Sequence, residues 1–146
     1  MSKETATETE KDILEKVPQH LGDAEVLLYM DQHTIDSSYV EAIRRLTRYK
    51  DDDISTWLNI SPRTMRSYRS LPRLKIKKST AEQLLLLLAL FKHGNQVFGS
   101  ADAFDEWINT GNFFLDNKKP AALLDTSSGI RYVNDRLTAM EFGDNI

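Results

Sequence analysis

No cysteine occurs among the 146 residues, which excludes a disulfide framework, a thiolate zinc site and a cysteine nucleophile and fits a reducing compartment. Glycine is sparse at six residues, and Gly94 and Gly99 are too far apart to form a phosphate-cradling loop. The opening MSKETATETEKD lacks the apolar centre of a secretory signal. The longest apolar run, residues 84 to 91, covers only about half a membrane span and is expected to be a helix buried on most sides. A cytoplasmic chain with no membrane partner is therefore expected. Histidine is also scarce: His20, His33 and His93 are widely spaced with no His-x-x-x-His pair, so neither a metal site nor a cofactor is expected. No serine sits in a nucleophile-elbow context, and no acid, base and nucleophile combine into a catalytic set, so the chain is not expected to be an enzyme.

Apolar residues at 40% and charged residues at 28% are ordinary for a globular protein and supply enough side chains for one compact core. The net charge of −3 hides a strong division along the chain. Residues 1 to 36 hold three bases and nine acids, and residues 79 to 146 hold five and nine. Between them, residues 61 to 78 hold seven bases, Arg63, Arg66, Arg69, Arg73, Lys75, Lys77 and Lys78, and no acid at all. Charge read by segment thus points to an anionic partner that the acidic total conceals.

Helical spacing recurs from end to end, and no pair of strands is legible, so the fold class is all-α. Residues 1 to about 10 are expected to be an acidic tail. Short helical pieces follow to Gln32, interrupted at Pro18 and Gly22. Ser38 with Glu41, and again Ser79 with Glu82, have the spacing of a capping box. The first would start a helix that buries Tyr39, Ala42, Ile43 and Leu46, and the second a long helix stopping at Gly94 or Gly99. Three acids open the helix beginning at Asp51, where the helix dipole favours them, and Ile54, Trp57 and Leu58 face inward. Ser61 and Pro62 open the next helix, with Met65 and Tyr68 inward. RLKIKK reads as an extended or loose connector. SADAFDEWI, a short helix around residues 120 to 124, and GIRYVNDRLTAMEFG complete the pattern.

Two short helices joined by a turn of about three residues, the second capped by a small polar residue and lined with exposed bases, make a helix-turn-helix. Such a unit offers the N-terminal half of its second helix to base edges in the major groove. Arg63 and Arg66, one turn apart, have the reach for a bidentate contact to guanine. Thr64 and Ser67 suit bases or phosphates, while Arg69, Arg73, Lys75, Lys77 and Lys78 suit phosphates, which position a protein without reading sequence. The expected partner of this segment is operator DNA.

Val97-Phe98-Gly99, Trp107-Ile108, Pro120 with Leu123 and Leu124, Thr126 with Gly129, Val133 with Leu137, and the closing Gly143 stand in an order that resembles the Xre/MbcA/ParS toxin-binding domain. The family commonly has a Leu-Gly-Gly turn before its proline, where this chain has Leu115-Asp116-Asn117. The resemblance implies a division into an acidic N-terminal segment (1–36), an Xre-like helix-turn-helix domain (37–78) and a toxin-binding domain (79–146). It also implies an antitoxin of a type II pair that binds a RES-domain, NAD-consuming toxin and represses the shared operon as a homodimer or a higher hetero-oligomer with the toxin. Toxin contacts are then expected from Asn117 and Lys118 and from Gly143, Asp144, Asn145 and Ile146, the last through its terminal carboxylate. The alternative is a stand-alone helix-turn-helix regulator or ParS-like interaction protein without a toxin.

Overall fold

The computed structural model describes residues 8 to 20 and 22 to 143, as helices joined by turns. The helices are α1 (Glu8–Lys16), α2 (Asp23–Gln32), α3 (Ser38–Leu46), α4 (Asp51–Leu58), α5 (Pro62–Ser70), α6 (Lys78–Phe98), α7 (Ala101–Ile108) and α8 (Ser127–Glu141), with 3-10 turns at Phe113–Leu115 and Pro120–Leu123. No strand is present among the described residues, and the fold is all-α as its spacing predicts.

The 21-residue α6 is the axis of the molecule, about 31 Å long at 1.5 Å per residue. Residues 84 to 91 are each at most 3% exposed. An apolar run with no polar face can form a stable helix only if other elements cover every side. Here α3, α4, α7, α8 and α2 all pack on it. One continuous cluster of buried side chains runs from Ile13 to Leu137, so the three sequence segments share a core. Aromatic rings extend through it: Tyr49 lies 4.8 Å from Trp57, Trp57 5.6 Å from Phe91, and Phe91 5.4 Å from Phe104. That chain of contacts ties α4 to α7 through α6.

Several local details depart from expectation for identifiable reasons. Helix α1 already begins at Glu8, and the carboxylate of Glu10 is buried beside Arg45, so residues 8 to 10 are not part of a tail; the rest of the expected tail lies outside the described residues. Ser38 does not cap α3. Asp36 instead accepts from the Ser38 amide at 2.9 Å, and Glu41 is drawn to Arg44. Helix α6 starts at Lys78 with Lys77 at its N-cap position, two residues too early for Ser79 to cap it. It runs past Gly94 and stops at Gly99, whose φ of 84° lies in the left-handed region open to glycine. Gly94 is inside the helix because a Cβ there would lie 2.3 Å from the Phe104 ring.

The connector after α5 is extended but not loose. The Ser37 hydroxyl donates to the Leu71 carbonyl at 2.8 Å and accepts from the Leu74 amide at 3.1 Å. The Ser37 amide donates to the Leu74 carbonyl and the Ile76 amide to the Ile35 carbonyl, making an isolated antiparallel bridge between Asp36 and Lys75. These bonds hold Arg73 at φ 56°, a conformation uncommon for arginine.

Candidate nucleic-acid interface and partner face

Helices α4 and α5 meet at Asn59, whose φ of 57° and ψ of 41° supply the left-handed residue that turns the chain. Asparagine is enriched there because its short polar side chain tolerates the conformation. The Asn59 amide also donates from its side chain to the Asp125 carbonyl at 3.0 Å, which braces the turn against the C-terminal segment. Ser61 then caps α5, its hydroxyl accepting from the Thr64 amide at 3.0 Å, and Pro62 occupies the first turn, where a missing N–H costs nothing.

Met65 and Tyr68 are buried, which rotates Arg63 and Arg66 outward into solvent. Among the described residues Arg63, Arg66, Arg73, Lys75, Lys77 and Lys78 are all exposed and make no ion pair. Arg69 differs. It joins Arg44 on the carboxylate of Asp51, so one acid links α3, α4 and α5. Arg44 itself titrates above the usual arginine range, because its two acids, Glu41 and Asp51, outweigh the opposing effect of burial. Thr64 and Ser67 are half-buried, with hydroxyls in local bonds to the Ser61 hydroxyl and the Arg63 carbonyl. No acid lies in the first turn of α5 or α6, and Lys77 and Lys78 sit at the positive end of the α6 dipole. That arrangement is self-repelling, and an anion placed there would relieve it.

The other face with chemical character lies near the chain's end. Residues 109 to 119 form a loop in which Asn112, buried, accepts through its side chain from the Phe114 amide at 2.9 Å. Its backbone exchanges bonds with Asn117 and Lys118 at 2.9 and 3.0 Å. Asp116 and Asn117 have φ of 57° and 62°, so the positions where glycines are usual are left-handed here as well, occupied by the two residue types that best replace glycine. Asn117 and Lys118 are exposed on this turn, and Gly143 is exposed at φ 91°. Asp144, Asn145 and Ile146 lie outside the described residues.

Beside the loop stands an aromatic surface that reading apolar residues as core misses. Phe113 is 83% exposed and Phe114 45%, their rings 5.8 Å apart. The Arg136 guanidinium lies 4.3 Å over the Phe114 ring, and the exposed Tyr132 donates to the Phe114 carbonyl at 3.4 Å. The adjacent pair Phe113-Phe114, standing in a turn-rich stretch rather than at helical spacing, was the signal available in the sequence.

Thr126 and Gly129 show why their spacing matters. The Thr126 hydroxyl accepts from the Gly129 amide at 3.0 Å to cap α8, and a Cβ on residue 129 would lie 1.8 Å from the Leu123 carbonyl oxygen. Trp107 is half-buried, and Leu124, Val133 and Leu137 are fully buried, which assigns them to the core. No helix among the described residues is long and apolar enough to cross a membrane.

Residues 93 to 143 match the family model described as the antitoxin Xre/MbcA/ParS C-terminal toxin-binding domain. The match begins within α6, at His93, rather than at residue 79. No curated protein matches the chain.

Proposed function

We propose, from the match of residues 93 to 143 to the Xre/MbcA/ParS antitoxin toxin-binding domain family, that the chain neutralises a RES-domain, NAD-consuming toxin by direct binding and represses its own operon through α4 and α5. The family match carries the antitoxin role. The repression goes further than the match and is supported by the cationic surface just described, while the toxin class rests on the family resemblance.

For DNA, the supporting observation is the row of exposed, unpaired cations that starts at the N-cap of α5. Arg63 and Arg66 read base edges, with Thr64 and Ser67 close by. Arg73, Lys75, Lys77 and Lys78 meet phosphates on a backbone fixed by Ser37. Arg69 reaches phosphate only by leaving Asp51, so its contribution is smaller than its charge suggests. For the toxin, the face is Phe113, Phe114 and Tyr132 with Asn117 and Lys118, since exposed aromatic residues beside polar ones are the usual anchors of a protein interface. On this reading the division expected at residues 37 to 78 and 79 to 146 gives each partner one end of a shared core.

Fluorescence anisotropy with a duplex from the chain's own promoter region tests the DNA half. Affinity should fall by about 0.9 log units per log unit of salt for each phosphate neutralised. Arg66→Ala should relax sequence preference, whereas Lys77→Ala should weaken all duplexes alike. Unchanged binding after neutralising residues 63 to 78 would overturn it. Co-purification with the product of the adjacent gene tests the other half. Phe113→Ser should weaken that complex at least tenfold while leaving DNA binding intact, and a regulator that pairs with no toxin would give no complex at all.

A further inference from the structure

Two histidines that are 73 positions apart meet a glutamate in a cluster that neither proposed interface uses. His93, in α6, is fully buried, and its Nδ1 lies 2.7 Å from the Asn134 side-chain oxygen. Its Nε2 abuts Oε1 of Glu141 in the last turn of α8. His20 reaches the same carboxylate, with Nε2 4.0 Å from Oε1, and its ring stands edge-on to His93 at 4.3 Å between centroids. One ligand atom from each of the three side chains falls within 4.8 Å of the others.

The hydrogen-bond pattern gives this cluster its direction. An Asn134 oxygen accepts only if His93 Nδ1 carries the proton, and a neutral ring then has a bare lone pair on Nε2. That lone pair faces a carboxylate oxygen, so two acceptors confront each other. A cation between them resolves the conflict. The Nδ1 bond to Asn134 is the outer-shell support that holds a ligating imidazole in one tautomer and orientation.

His20 is placed by its own segment. Lys92 donates its ammonium to the Val17 carbonyl, and Gln19 meets Gln96, so the chain after α1 is laid along α6. His20 and Glu141 are 54% and 36% exposed in their side chains, which leaves both free to adjust and leaves a coordination position open to water.

We propose that His20, His93 and Glu141 form a binding site for a zinc-type divalent transition-metal ion, with Asn134 orienting His93. Two imidazoles and one carboxylate are a known donor set for zinc with an open fourth position, at bonds of about 2.0–2.2 Å. Tetrahedral bonds of that length put neighbouring ligand atoms about 3.3 Å apart. The His20 to Glu141 distance therefore closes by well under 1 Å on binding, while the His93 to Glu141 contact opens. Imidazole donors select this class of ion over magnesium or calcium. The ion would tie the segment after α1 to the end of α8, the helix that leads to the chain's last residues.

The test uses the full chain without a polyhistidine tag, stripped with chelator and titrated with Co2+, then with Zn2+ in competition. The expected results are a visible ligand-field band at one equivalent, its loss on adding Zn2+, and a rise in the unfolding midpoint. That rise should be roughly 5–10 °C at Zn2+ about a hundredfold above Kd. His20→Ala and Glu141→Gln should each weaken Co2+ binding at least tenfold. Asn134→Ala should weaken it about 10–100-fold, and His33→Ala should leave it unchanged. Absence of the band and of Zn2+ protection overturns the site, as does wild-type affinity in both His20→Ala and Glu141→Gln. A stability change that follows histidine protonation but ignores Zn2+ also overturns it, because a proton rather than a metal then separates His93 from Glu141.

Discussion

Replacing Gln83 with methionine should loosen α4 energetically from the segment that leads into α8, at little change in side-chain length. Gln83 is 7% exposed on α6. Its amide nitrogen donates to the Trp57 carbonyl at the end of α4 and to the Leu124 carbonyl before α8, each at 3.2 Å, and its oxygen accepts from the Ser127 hydroxyl at 2.9 Å. One side chain thus bonds to both the helix-turn-helix and the toxin-binding segment. Methionine keeps the length and packing but leaves two carbonyls in the interior unpaired, at about 1–3 kcal/mol each. The half-exposed Ser127 can turn its hydroxyl to water, so it adds little. The expected loss is about 2–6 kcal/mol, which for a chain of this size is roughly 5–20 °C in the unfolding midpoint. Urea unfolding by circular dichroism measures it directly, with a lower midpoint and an unchanged slope. A loss below about 0.5 kcal/mol would refute the idea that Gln83 joins the two ends.

Gly129→Ala should destabilise the chain by roughly 1–3 kcal/mol in the same assay, although alanine favours helix, because the new methyl would press on the Leu123 carbonyl, 1.8 Å from its ideal position. Increased stability would contradict that contact. Tyr49→Phe should cost nothing and stabilise by up to about 1 kcal/mol. The Tyr49 hydroxyl is buried without a hydrogen-bond partner among the described residues, and burial, with Asp105 and Asp53 adding to it, pushes its pKa up to about 12. A clear loss of stability would show that the hydroxyl is bonded. Asp105 has its pKa raised by burial, against the opposing pull of the Arg48 amide and the Thr47 hydroxyl. The native state therefore binds this proton more readily than the unfolded chain does. Its contribution is present in full below the ordinary value of 3.8 and is lost as pH rises through the higher native value. Stability curves against pH for wild type and Asp105→Asn should diverge across that window, and parallel curves would contradict the assignment.

The helices were legible because each buries a stripe at regular spacing, as Ile130, Val133 and Leu137 do in α8. The turn between α4 and α5 was legible for a different reason: Asn59, Ser61 and Pro62 each carry a local conformational preference that their neighbours do not oppose. Caps failed where a neighbour competed. Asp36 took the Ser38 amide, and the bridge at Lys75 set the start of α6 ahead of Ser79. Of the two expected stops the helix takes Gly99, and Gly94 could not be set aside beforehand because its reason is a ring ten residues away, which no local pattern contains. The cationic row could be read from composition, but the capture of Arg69 by Asp51 could not. Phe113 and Phe114 lie in a stretch whose pattern shows turns but not which apolar residues stay exposed. The meeting of His20 and His93 depends on the whole path of the chain between them.

Growth of cells that express the proposed partner toxin, with and without the chain, is the most direct measurement of the central claim. Growth should be restored by the chain, and equally by a variant with Arg63 and Arg66 replaced by alanine. Arrest that persists in the presence of the folded chain would contradict the antitoxin role.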